Sequence, residues 1–77
     1  MIMDDEIKLY GASWCPACRR AKDWLLENSI QFIYIDVDTD EGVQDFLKLG
    51  LSSIPVLSFK GEFVAGFNTE EYTRLFE

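Results

Sequence analysis

The sequence predicts an α/β fold, one mixed β-sheet with helices packed on it. Three observations lead there. Strand-like and helix-like hydrophobic periods alternate along the chain in the order βαβαββα. The first half contains a nearly continuous apolar strand, and the second half a Gly-containing two-residue turn between two short strands. The chain has only 77 residues, which allows one domain spanning 1–77. A domain of that size buries about 60% of the surface its unfolded chain exposes, enough to fold alone.

Each element has its own signal. Ile7-Lys8-Leu9-Tyr10 alternates apolar and polar and stops at Gly11, as a short strand does. Pro16 suits the first turn of a helix, where its missing N–H costs nothing. Ala17, Ala21, Trp24 and Leu25 then recur at helical spacing as far as Asn28-Ser29. Phe32-Ile33-Tyr34-Ile35, ending at Asp36, reads as a strand covered on both faces in a parallel pair. Asp38-Thr39-Asp40-Glu41 supplies caps and negative charge for a second helix. Val43, Phe46 and Leu47 form its apolar face, and Gly50 ends it. Pro55–Phe59 and Glu62–Ala65 flank Lys60-Gly61 as a hairpin. Asn68 caps a last helix with Glu71 three residues on and Tyr72, Leu75 and Phe76 as its buried stripe.

Composition removes several functions. Seven Lys or Arg against 14 Asp or Glu leave a net charge of −7, and there is no His. Imidazole acid–base chemistry, His–Cys nucleophilic pairs and His metal ligands are therefore excluded. An acidic chain is a poor nucleic-acid binder, because that affinity comes mainly from Lys and Arg neutralising phosphates. No apolar run approaches the ~18 residues that span a bilayer. The acidic start, Met1 to Glu6, has no basic or apolar signal-peptide pattern, which points to the cytoplasm. A 48% hydrophobic content argues against disorder. The two cysteines carry the chemistry.

Cys15-Pro16-Ala17-Cys18 lies where the first strand gives way to the first helix. Residues three apart on a helix have Cβ atoms about 5–6 Å apart. A disulfide needs Cα atoms about 4.4–6.8 Å apart, so one scaffold holds the pair as dithiol or disulfide. Cys15 should cap the helix, where free N–H groups and the positive dipole end stabilise a thiolate. Arg19, Arg20 and Lys22 add positive charge nearby, and Cys18 should be the less exposed thiol. The expected division of labour makes Cys15 the nucleophile and Cys18 the resolving thiol of a dithiol–disulfide oxidoreductase. A structural disulfide would close too short a loop to constrain the unfolded chain much. A zinc site lacks ligands, since it needs about four. The rival classes are a metal or iron–sulfur carrier bridging two subunits through Cys15, and a docking module without turnover.

Leu9-Tyr10-Gly11-Ala12-Ser13-Trp14-Cys15-Pro16-Ala17-Cys18, Ser53-Ile54-Pro55-Val56 and Ala65-Gly66-Phe67-Asn68 resemble the three signature segments of glutaredoxin-like proteins. The resemblance covers essentially the whole chain. It implies the thioredoxin fold, with a four-stranded mixed sheet flanked by three helices. It also implies a cis Pro55 beside the cysteines and main-chain hydrogen bonds from Ile54 to substrate. Trp14, Pro16, Ile54, Pro55, Gly66 and Phe67 become the expected substrate-binding residues.

The subtype signature is mixed. Glutathione-using members carry a lysine where this chain has Ala12, and a double glycine followed by acids where it has Ala65-Gly66-Phe67-Asn68-Thr69. Gly-Phe before a helix is closer to the NrdH-redoxin branch, which draws on thioredoxin reductase and supplies ribonucleotide reductase. The implied electron source is glutathione or thioredoxin reductase with NADPH, with no tightly bound cofactor. The implied partners are protein disulfides, ribonucleotide reductase among them, and the expected state is a monomer. Trp14 and Phe67 fit either an apolar docking lip or the core. Arg19 and Arg20 fit a solvated face or a steering patch for an acidic partner. Asp23 fits an exposed helix acid better than a proton-transfer group, and Glu70 and Glu71 serve a helix start through its dipole. Asp36, Asp38, Asp40 and Glu41 lack the spacing of a calcium loop.

Overall fold

A computed structural model describes residues 6–76. The elements are β1 (Ile7–Gly11), α1 (Pro16–Glu27), β2 (Ile33–Asp36), α2 (Asp40–Leu47), β3 (Val56–Phe59), β4 (Glu62–Ala65) and α3 (Thr69–Leu75). The sheet order is β2-β1-β3-β4. β1 runs parallel to β2 with Leu9 opposite Tyr34, and antiparallel to β3 with Leu9 opposite Leu57. β3 and β4 form the hairpin. Lys60 and Gly61 both take positive φ, 53° and 80°, as a two-residue turn matched to strand twist requires.

Strand alternation sorts the core into two layers. Leu9 and Leu57 face Ala21 and Leu25 of α1 and Tyr72 of α3, all fully buried. Tyr10 and Val56 face the other way, onto Phe46 of α2. The thioredoxin fold implied by the sequence is the fold observed.

Two expectations need correction. β2 pairs parallel to β1 with helices over both faces, but it is an edge strand and its cover is incomplete, with Ile33 45% exposed. α1 and its surroundings cover Phe32 and Tyr34 on one side, and α2 covers Ile35 and Val37 on the other, but Ile33 packs into neither layer. Leu47 is also outside the core, 63% exposed. The stripe of α2 runs through Gly42, Val43 and Phe46, and Leu47 lies about 100° round the helix from Phe46. Leu49 and Leu51, beyond the helix, fill the space beside Phe46 instead.

The caps anticipated in the sequence form. Thr39 Oγ1 accepts from the Gly42 amide at 2.9 Å, and Asn68 Oδ1 accepts from the Glu71 amide at 3.0 Å. Gly42 also allows α2 to approach β2 closely, since a Cβ there would lie 1.8 Å from the Asp36 carbonyl oxygen. Tyr72 ties α3 to the rest. Its ring packs edge-on to Trp24 and Phe67, at 5.5 and 5.3 Å between centroids, and its hydroxyl donates to the Gly66 carbonyl at 3.2 Å.

Two outcomes follow from these contacts. Gly42→Ala should gain up to ~1 kcal/mol of helix propensity yet lose more to the clash with Asp36, a net destabilisation of ~2 kcal/mol in urea unfolding. Burial raises the Tyr72 pKa above its ordinary 10.0, so the unfolded chain releases that proton first. Its contribution is complete below pH 10 and is lost as pH rises beyond it. Tyr72→Phe should cost ~1 kcal/mol at pH 7, from the lost bond to Gly66, but its urea midpoint should fall less steeply above pH 10.

Candidate active site

β1 ends at Gly11, and Ala12-Ser13-Trp14 leads directly into α1. Cys15 is the N-cap, with extended backbone, and Pro16 takes the first helical position. The Cys15 amide donates to the Ala12 carbonyl at 3.2 Å, and the Arg19 amide to the Cys15 carbonyl at 3.1 Å. Cys15 Sγ accepts from the Cys18 amide at 3.2 Å. The cap thus places sulfur where Ser or Asp oxygen ordinarily sits, with an N–H aimed at it. Two side chains hold this loop from outside. Arg19 donates through its guanidinium to the Ser13 carbonyl at 2.8 Å, and the Trp14 indole donates to Asp38 Oδ2 at 2.8 Å.

The two thiols are free and differ in setting. Cys15 is 7% exposed and Cys18 1%. Burial, then hydrogen bonding with Cys15, pushes the Cys18 thiol up from 9.0 to about 12. Cys18 is therefore a neutral thiol at pH 7. Its sulfur rests against the backbone of Gly11, where a Cβ would come within 3.0 Å of it and 3.1 Å of the Tyr34 hydroxyl. A side chain there would force these neighbours to give by a few tenths of an ångström.

The Ile54–Pro55 peptide is cis, as the resemblance implies. Pro55 is fully buried, and Ile54 packs against the cluster of Ala12, Cys15 and Cys18. The Pro55 carbonyl accepts from the Gly66 amide at 2.7 Å, joining the third signature segment to the second. Cys15, Cys18, Ile54, Pro55 and Gly66 thus belong to one connected region. Trp14 stands out from it, 65% exposed, which removes it from the core. Phe67 is half-buried against Tyr72 and serves the packing of α3. Pro16, Arg19, Arg20 and Asp23 are exposed on α1.

The acidic segment is occupied with local structure. Asp36 Oδ1 accepts from the Asp38 amide at 2.9 Å, and Asp38 holds Trp14. Among the described residues, no three of His, Cys, Asp and Glu gather as a metal site would need. Sequence reading missed the Trp14–Asp38 bond, which spans 24 residues and has no local signature. It also missed Tyr34 beside Cys18. That neighbour was accessible in principle, since pairing β1 with β2 sets Tyr34 opposite Leu9, on the α1 side.

Comparison with known proteins agrees with this arrangement. The glutaredoxin family model matches residues 7–64. A glutaredoxin-like 8.6 kDa protein from a rubredoxin operon of Clostridium pasteurianum is 30% identical over 73 residues, 92% of this chain and 97% of the relative. The glutaredoxin-like protein NrdH of Lactococcus lactis is 29% identical over 70 residues, 90% of this chain and 97% of the relative. Among solved structures, a glutaredoxin from Archaeoglobus fulgidus superposes with a TM-score of 0.84 at 29% identity, covering 95% of this chain and 87% of that one. NrdH-redoxin from Escherichia coli shares the fold, with a TM-score of 0.79 at 24% identity and coverage of 91% and 93%. With a capping cysteine, a buried second cysteine one turn on and a family match over most of its length, the chain belongs to the glutaredoxin family and is a thiol–disulfide oxidoreductase.

Proposed function

We propose that Cys15 is the attacking sulfur and Cys18 the resolving one in a redoxin that reduces protein disulfides. The single observation that carries this is the asymmetry of the pair: Cys15 receives an amide donor at the helix cap, while Cys18 is buried and protonated. In the first step the Cys15 thiolate bonds to one substrate sulfur and expels the other as a thiolate. In the second, Cys18 bonds to Cys15 and the remaining substrate sulfur departs. The substrate gains two electrons, and Cys15 and Cys18 end as a disulfide. Trp14 and Pro16 offer exposed apolar surface next to the nucleophile, and Ile54, Gly66 and Phe67, set by the buried cis Pro55, form the opposite wall for a docked chain.

The reading extends to the electron source. Ala12 is fully buried beside the cysteines and supplies no cation for the carboxylates of glutathione. Ala65–Thr69 supplies no acid for its amine. A thioredoxin-reductase-type flavoenzyme using NADPH is therefore the donor, and a cytoplasmic ribonucleotide reductase, as for the NrdH-redoxin branch, is the acceptor that fits best. The similarity to NrdH of Lactococcus lactis supports both.

Cys15→Ser should abolish disulfide reduction, and Cys18→Ser should accumulate a covalent mixed disulfide visible by mass spectrometry. Full activity in Cys15→Ser would overturn the assignment. Supplied separately with each donor, the oxidised protein should be reduced by thioredoxin reductase and NADPH at least ~10-fold faster than by glutathione and its reductase. Equal rates would remove the branch assignment and leave the roles of the cysteines standing.

A further inference from the structure

The resolving step has a proton problem. Cys18 must attack as a thiolate, yet burial holds it as a thiol at working pH. The groups that ordinarily solve this are missing or engaged. The chain has no His, and no charged side chain is buried among the described residues. Cys15 is itself bonded to substrate at that stage. The Tyr72 hydroxyl donates its proton to the Gly66 carbonyl, and its side chain is fully buried. Asp36 and Asp38 accept from the Asp38 amide and the Trp14 indole.

Tyr34 is different. Its hydroxyl and Cys18 Sγ border the same small space, the one left by the missing side chain of Gly11. It hydrogen-bonds to no described residue in the resting dithiol, Cys18 included, so the contact a relay needs forms only as the resolving step begins. No buried polar side-chain atom among those residues lacks a partner, so this hydroxyl is open to water. Tyr34 also lines an open cleft with Lys22, Leu26 and Phe32 at the edge of the sheet. Lys22 Nζ lies 5.2 Å from the ring centroid and holds the ring from the α1 side.

We propose that the Tyr34 hydroxyl relays the Cys18 proton to solvent during the resolving step. This rests on the assignment of Cys18 as the resolving thiol. As the Cys18 sulfur bonds to Cys15 Sγ, the bond from Cys15 to the substrate sulfur breaks and its electron pair leaves as a substrate thiolate. The Cys18 proton passes to the Tyr34 oxygen, and the proton already on that oxygen passes to water. Tyr34 begins and ends neutral. Burial and the neighbouring Cys18 raise its own pKa, so it accepts on a lone pair while donating and does not act as a preformed phenolate.

The test separates the two steps in one stopped-flow trace. Reduced protein mixed with 5,5′-dithiobis(2-nitrobenzoate) releases one thionitrobenzoate when Cys15 attacks and a second when Cys18 resolves. In Tyr34→Phe, which keeps the ring under Lys22, the first phase should be unchanged. The second should slow by ~10-fold or more at pH 7. Its rate should then climb about tenfold per pH unit between 6 and 8, because only spontaneously ionised Cys18 reacts. The titratable and charged groups around the site, Cys15, Tyr72, Lys22, Asp36 and Asp38, are the same in both proteins. A smaller slowing, or one of equal size at every pH, would overturn the relay. Loss of the second phase alone in Cys18→Ser and of both in Cys15→Ser checks the underlying assignment independently. If Tyr34→Phe does not fold, a proton inventory of the second phase in the unaltered protein decides. A curved dependence on deuterium content, as for two protons in flight, supports the relay, and a linear or flat one overturns it.

Discussion

The contact on which the molecule turns is the amide of Cys18 donated to the sulfur of Cys15. A helix start leaves several N–H groups without partners, and an oxygen-bearing side chain commonly takes one of them. Here a thiol sulfur takes that place. On the proposed assignment of Cys15 as the attacking sulfur, the same geometry that satisfies α1 also positions that sulfur, and helix capping and reactivity cannot be varied independently.

Much of the remaining structure keeps that contact in register. Gly11 leaves room for the Cys18 sulfur against β1. The guanidinium of Arg19 fixes Ser13 from the helix side, and Asp38 fixes Trp14 from the loop after β2. The Pro55 carbonyl fastens the segment around Gly66, and Tyr72 supports that segment from below through its own bond to Gly66. Hydrogen bonds thus join the Cys15 loop to Asp38 and the Pro55 segment to Gly66 and Tyr72, and the packing of Ile54 against Ala12, Cys15 and Cys18 brings the two groups together.

The sequence revealed what local patterns encode. Element order, the Lys60-Gly61 turn, the caps at Thr39 and Asn68 and the capping position of Cys15 all follow from residues close together in the chain. The edge position of β2 did not, because four consecutive apolar or β-favouring residues look alike whether a strand is central or peripheral. Leu47 was misplaced because it and Phe46 both fit the helical spacing from Val43, and only packing shows that Phe46 alone is covered. The partnerships of Trp14 with Asp38, of Tyr34 with Gly11 and Cys18, and of Tyr72 with Gly66 depend on tertiary placement. Strand pairing would have reached the second of these; nothing in the chain pointed to the first.

The peripheral position of β2 bears on how copies of this chain meet. Among the described residues no strand pairs with its outer side, and Ile33 adds an apolar side chain there. Such a border is an invitation to edge-to-edge aggregation. Its safeguard is long-range: each molecule carries a net −7, so approaching neighbours repel before their borders touch. That guard is colloidal and depends on the medium. Concentrated salt shortens its reach to about 3 Å at 1 M, and acidification towards the isoelectric point near 4.3 removes it.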